Sequence, residues 1–143
     1  MDAQQEINEG LEDVRSSRDP LFRTGRLNRI RDLLGYGPLT FDFMGGLTDN
    51  LIDMIILETD DLIRGQLFDV LERALMQNPA CGAAIDRLIA YFSEDDPALI
   101  ANTLLLFPLA GSPQHIVLAQ TYTQHPHAHV RANAEYAIKY ARH

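Results

Sequence analysis

Apolar residues recur at helical spacing along almost the whole of this 143-residue chain. Nowhere do apolar and polar residues alternate long enough to build a convincing strand. Ile7, Leu11 and Val14 lie at i, i+4 and i+7, and Leu27, Ile30, Leu33 and Leu34 at i, i+3, i+6 and i+7. Both sets place their side chains on one helix face. A chain patterned in this way is predicted to be all-α, with short connections between its helices.

Turn-forming residues divide the pattern into eight expected helices. The first two stop before Gly35-Tyr36-Gly37-Pro38, where two glycines and a proline predict a loop. The third is expected to begin at Thr48 or Asp49, whose oxygens can cap it, and to pass through Ile56. The fourth follows Thr59-Asp60-Asp61 and ends before Asn78-Pro79. A fifth is expected over about 81–92, and a sixth from Asp96-Pro97 to Phe107. The seventh covers about 113–123 and the eighth 128–141.

The chain is also similar to itself. A shift of 31 residues lays Ile85 on Ile116, Tyr91 on Tyr122, Ala101 on Ala132 and Asn102 on Asn133. A less regular copy upstream sets Ile63-Arg64 against Val130-Arg131. Repeat spacing of this size marks stacks of helix pairs. The final copy, with its His125-Pro126 turn, Val130-Arg131 pair and small residues Ala132, Ala134 and Ala137, resembles a HEAT-type (armadillo-like) repeat. In the copy before it Ile100 stands where that arginine would be. The resemblance covers residues 48–143. It implies three HEAT-like helix pairs in a short right-handed α-solenoid, within one domain spanning 1–143, with residues 1–47 as capping helices. Each pair has an apolar face that it cannot bury alone, so stacking would build the core.

Charge narrows the range of partners. The chain carries 20 acidic and 12 basic residues, for a net charge of −8. Phosphate neutralisation needs a basic surface, so nucleic acid and anionic membrane are poor partners, and a basic protein is the expected one. Residues 48–111 hold 11 acidic and three basic residues, and so carry the whole imbalance. Acids cluster at Asp60-Asp61 and at Glu94-Asp95-Asp96, both at expected helix starts. Capping accounts for part of each cluster, but one cap needs only one oxygen. The expected partner-binding surface is therefore Asp60, Asp61, Glu94, Asp95 and Asp96, with Asp69 and Glu72 on the fourth helix. The six arginines from Arg15 to Arg31 scatter over several helix faces and are expected to be a solvated surface.

Signals for chemistry are sparse. His125, His127 and His129 alternate across a helix start, which points their rings in different directions and disfavours a metal site. Cys81 is the only cysteine, which excludes an intrachain disulfide, and it is expected to be a packing residue. No nucleophile elbow, zinc-protease motif or phosphate loop is present, so neither catalysis nor a cofactor is expected. Met1 to Leu11 is polar and acidic, and no apolar run approaches 18 residues, so the expectation is a cytoplasmic protein that does not span a membrane. Size, acidity and fold together are similar to the immunity proteins that neutralise bacterial nuclease toxins. That resemblance implies a non-catalytic inhibitor of a basic toxin. The alternatives are a self-associating scaffold subunit, or a small lyase-like, cofactor-handling factor with a pocket near His115 or His125.

Overall fold

Helices in this chain start mostly where it offers a proline or a hydrogen-bonding cap. The computed structural model describes residues 2–36, 39–110 and 112–141, excepting the side chains of residues 80 and 81. Among these residues there are nine α-helices, one 3-10 segment and no strand. No described helix is long and apolar enough to cross a membrane. The packing role expected of Cys81, and the Gly37-Pro38 part of the expected loop, lie outside the described residues. The chain divides into two units, Met1–Gln77 and Asn78–His143.

The first unit contains α1 (Ala3–Ser16), α2 (Pro20–Leu33), α3 (Phe41–Leu57) and α4 (Asp61–Gln77). Asp2 and Gln5 form a capping box at α1: the Asp2 carboxylate accepts from the Gln5 N–H at 2.8 Å, and the Gln5 side chain accepts from the Asp2 N–H at 3.2 Å. Asp19 caps α2, whose first residue is Pro20. Asp60 caps α4 through the Ile63 N–H at 3.0 Å. Helix α2 packs against both α1 and α4, and α3 packs against α4. Their shared core includes Ile7, Leu11, Leu27, Ile30, Leu51, Ile55, Ile63, Leu67 and Leu71, all buried. Burying each such side chain contributes roughly 1.5–3 kcal/mol.

Helix α3 corrects the expectation of a start at Thr48 or Asp49. Thr40 is the cap, accepting from the Phe43 N–H at 3.2 Å, and the helix runs on through Gly45-Gly46. Thr48 is buried inside it and donates its hydroxyl to the Met44 carbonyl at 2.9 Å. The two glycines do not end the helix because Met44, Leu47 and Leu51 on one face are buried. That burial outweighs a glycine cost of about 1 kcal/mol each.

The second unit begins with a 3-10 segment, Pro79–Ile85, and continues through α5 (Asp86–Ile89), α6 (Pro97–Leu104), α7 (Phe107–Ala110), α8 (Pro113–Thr121) and α9 (Ala128–Lys139). The single helix expected over 81–92 is thus a 3-10 segment followed by one α-turn. The segment packs against α7, and Gly82 sits so close that a Cβ there would lie 2.7 Å from the Ala110 Cα. The sixth helix also stops earlier than expected, at Leu104 rather than Phe107. Pro108 has no N–H to offer the Leu104 carbonyl, so the chain turns and restarts as α7 with Pro108 in its first turn. Asp96 caps α6 through the Leu99 N–H at 3.2 Å. Helix α9 packs against α6 and α8, and the Asn133 side chain donates to the Ala101 carbonyl of α6 at 2.8 Å.

Candidate functional site

The structure gives the seven expected acidic residues different surroundings. In the first unit, Asp60 is committed to its cap, and its own N–H donates to the Glu58 carboxylate at 3.1 Å. Asp61 is exposed and pairs with Arg64 at 3.2 Å, one helical turn on. In the second unit, Asp96 caps α6, and Glu94 accepts from His125 Nε2 at 2.7 Å. Asp95 is exposed, and its N–H donates to the Ser93 hydroxyl at 3.2 Å. Four of the seven side chains therefore serve local structure.

Asp69 and Glu72 differ from the others. They lie on α4 with Arg73 and Met76 at i, i+3, i+4 and i+7, which puts all four on one helix face. Together with Arg31 of α2 they line an open hollow of about 400 Å³. A neighbouring hollow of about 300 Å³ is lined by Arg31, Asp32, Gly35, Tyr36 and Arg73. Burial pushes the Glu72 carboxyl above its ordinary value, and the Asp69 charge adds to this, while Arg73 offsets only part of it. Among the described residues, Asp69, Glu72, Arg31 and Arg73 form no ion pair. The same unit pairs Arg15 with Glu12, Arg23 with Glu58, Arg26 with Asp13 and Arg29 with Glu6. Arg31, one of the six arginines expected to be a solvated surface, and Arg73, to which the sequence assigned no role, thus line this hollow. The four-residue face on α4 was the available signal for Arg73. For Arg31 there was none, because it comes from another helix.

In the second unit, Glu94, Pro97, His125, Pro126 and His127 line a smaller hollow of about 270 Å³. His125 accepts from the His127 N–H through Nδ1 at 3.0 Å, while Nε2 faces Glu94. Both ring nitrogens are therefore occupied. The His127 and His129 rings sit 5.8 Å apart. No group of three or more His, Cys, Asp or Glu among the described residues is placed to hold a metal ion. Tyr122 packs near His125, and burial together with the Glu94 charge pushes its hydroxyl above its ordinary value.

No family model matches this sequence, no curated protein matches it, and no solved structure matches it.

Proposed function

We propose that this chain is a protein-binding module of HEAT-like helix pairs, and that it acts without catalysis as an acidic inhibitor of a basic, nuclease-like protein. The observation that carries this reading is the Asp69–Glu72 face. It holds two carboxylates with no ion-pair partner among the described residues, one of them half-buried and disfavoured in its charged form. A cation from a partner would relieve that cost, and complementary charge speeds encounter.

The short right-handed solenoid belongs to the same proposal, and the placement of arginines supports it. Arg23, Arg64 and Arg131 are each the fourth residue of their helix, α2, α4 and α9. Arg23 and Arg131 tie their helices back to the preceding helix or turn, whereas Arg64 pairs with the first residue of its own helix. Arg23 donates to the Val14 carbonyl at 2.9 Å, Arg64 to Asp61 at 3.2 Å, and Arg131 to the His125 and Pro126 carbonyls at 2.9 Å each. Ile100 is the fourth residue of α6. The register extends to α2, so α1 and α2 read as a further pair rather than a cap alone. Second helices pack on one another within each unit, α2 on α4 and α6 on α9, as stacking of pairs would require.

The test is capture of partners from a bacterial lysate on the immobilised chain, followed by association kinetics with the captured protein at low and high salt. A basic partner whose association slows as salt rises, and slows again with Asp69→Asn plus Glu72→Gln, is expected. An association indifferent to salt and to that double variant would overturn the reading. A self-associating scaffold would instead show a mass well above 16.1 kDa in solution.

A further inference from the structure

The hollow on α4 contains charges of both signs, and this restricts what can occupy it more tightly than acidity alone. Arg31 and Arg73 line both adjoining hollows, with Asp69 and Glu72 in one and Asp32 in the other. Two guanidiniums against three carboxylates leave the site negative, so a free anion is repelled. A purely basic segment meets two fixed positive charges as well as the acids. A segment carrying one charge of each sign can satisfy both poles. Asp69 and Arg73 are four residues apart on α4, about 6 Å along its axis, with Glu72 between them. Alternate residues of an extended strand are separated by about 6.5 Å.

We propose that this hollow recognises a partner segment bearing a basic and an acidic side chain at alternate positions, the base toward Asp69 and Glu72 and the acid forked between Arg31 and Arg73. Arginine suits the second role because its planar fork can bind a carboxylate with two parallel hydrogen bonds. Met76 supplies an apolar rim for the stem of the basic side chain. The inference rests on the acidic-partner reading above and adds the requirement for an acid next to the base.

The test titrates the full chain with three capped peptides, Arg-Ala-Asp, Arg-Ala-Arg and Asp-Ala-Asp, while following the arginine Nε–H signals by NMR. The mixed peptide should shift the Arg31 and Arg73 signals and bind about tenfold tighter than either like-charged one. Arg31→Gln with Arg73→Gln should abolish that advantage while leaving the melting temperature within a few degrees. Should Arg-Ala-Arg bind as tightly and ignore the double variant, the inference fails while the acidic reading stands. If Asp-Ala-Asp binds best, or if no peptide binds at millimolar concentration, the inference fails too, and the acidic reading is then decided by its own salt-dependence measurement.

Discussion

His115 Nε2 lies 2.6 Å from Asp86 Oδ1, joining two residues 29 apart in sequence. A carboxylate can only accept, so Nε2 carries the shared proton. The ring is buried, stacks on Phe107 with 4.9 Å between centroids, and leaves Nδ1 buried without a partner. Removing either residue should therefore have unequal consequences. Asp86→Ala leaves both imidazole nitrogens unsatisfied in the core and should cost about 1–2 kcal/mol. His115→Phe keeps the packing and discards both polar atoms, while the half-exposed Asp86 carboxylate returns to water, so its cost should stay below about 1 kcal/mol. Chemical denaturation of the two variants separates the cases, and equal losses would refute the account.

Arg23 and Glu58 form a largely buried ion pair in the first unit, with side chains only 15% and 11% exposed. Burial pushes the Glu58 carboxyl up, but the Arg23 guanidinium and the Asp60 N–H outweigh it and hold the carboxyl below its ordinary value. A carboxyl held low in the folded state releases its proton more readily there than in the unfolded chain. Its stabilisation is present above the unfolded value of about 4.3 and is lost as pH falls through the lower folded value. Arg23→Ala should destabilise by roughly 2–3 kcal/mol at pH 7, because it strands a largely buried carboxylate. The loss should shrink on acidification, as melting curves from pH 7 to pH 3 would reveal.

Glu72 has the opposite sign. Its carboxyl is raised by burial and by Asp69, so the folded chain binds more protons than the unfolded chain between the two values. Stability therefore falls as pH rises through that window and stays lower above it. Glu72→Gln should raise the melting temperature slightly at pH 7, by an amount limited by solvent screening, and leave it unchanged below the unfolded carboxyl value. A lower melting temperature at pH 7 would mean that the charged form is stabilised by a partner within the chain.

Two glycines should respond in opposite directions to alanine. Gly82→Ala places a methyl 2.7 Å from a backbone carbon of α7 and must separate the 3-10 segment from that helix. A loss of about 1–3 kcal/mol is expected. Gly46→Ala, exposed inside α3 with nothing within 4 Å of the new methyl, should gain about 0.5–1 kcal/mol from reduced freedom of the unfolded chain. Urea titration of both variants checks the pair.

Local chemistry accounts for what the sequence allowed to be read. Asp60, Asp96 with Pro97, and Pro113 mark helix starts because capping and proline geometry depend on residues within one turn. The start of α3 was misplaced because Thr40 and Thr48 are equally able caps. Burial of Met44 and Leu47 decided between them, and burial depends on residues distant in the chain. The break after Leu104 was legible in Pro108, but the surrounding apolar run obscured it. Asp60, Asp61, Glu94 and Asp96 looked equivalent to Asp69 and Glu72 because charge can be counted from sequence, whereas an ion-pair partner such as Arg64 or His125 depends on how a side chain is turned.

By itself, then, the sequence determined that the chain is helical, where α4, α6, α8 and α9 begin, and that its excess negative charge falls in residues 48–111. These follow from periodicity, caps and counting, each of which acts over a few residues. Tertiary structure alone decided that Arg31 of α2 meets Asp69, Glu72 and Arg73 of α4 in one hollow, and that His115 faces Asp86. Such meetings arise only when distant apolar faces pack, and the packing fixes which polar groups are left together at the edges.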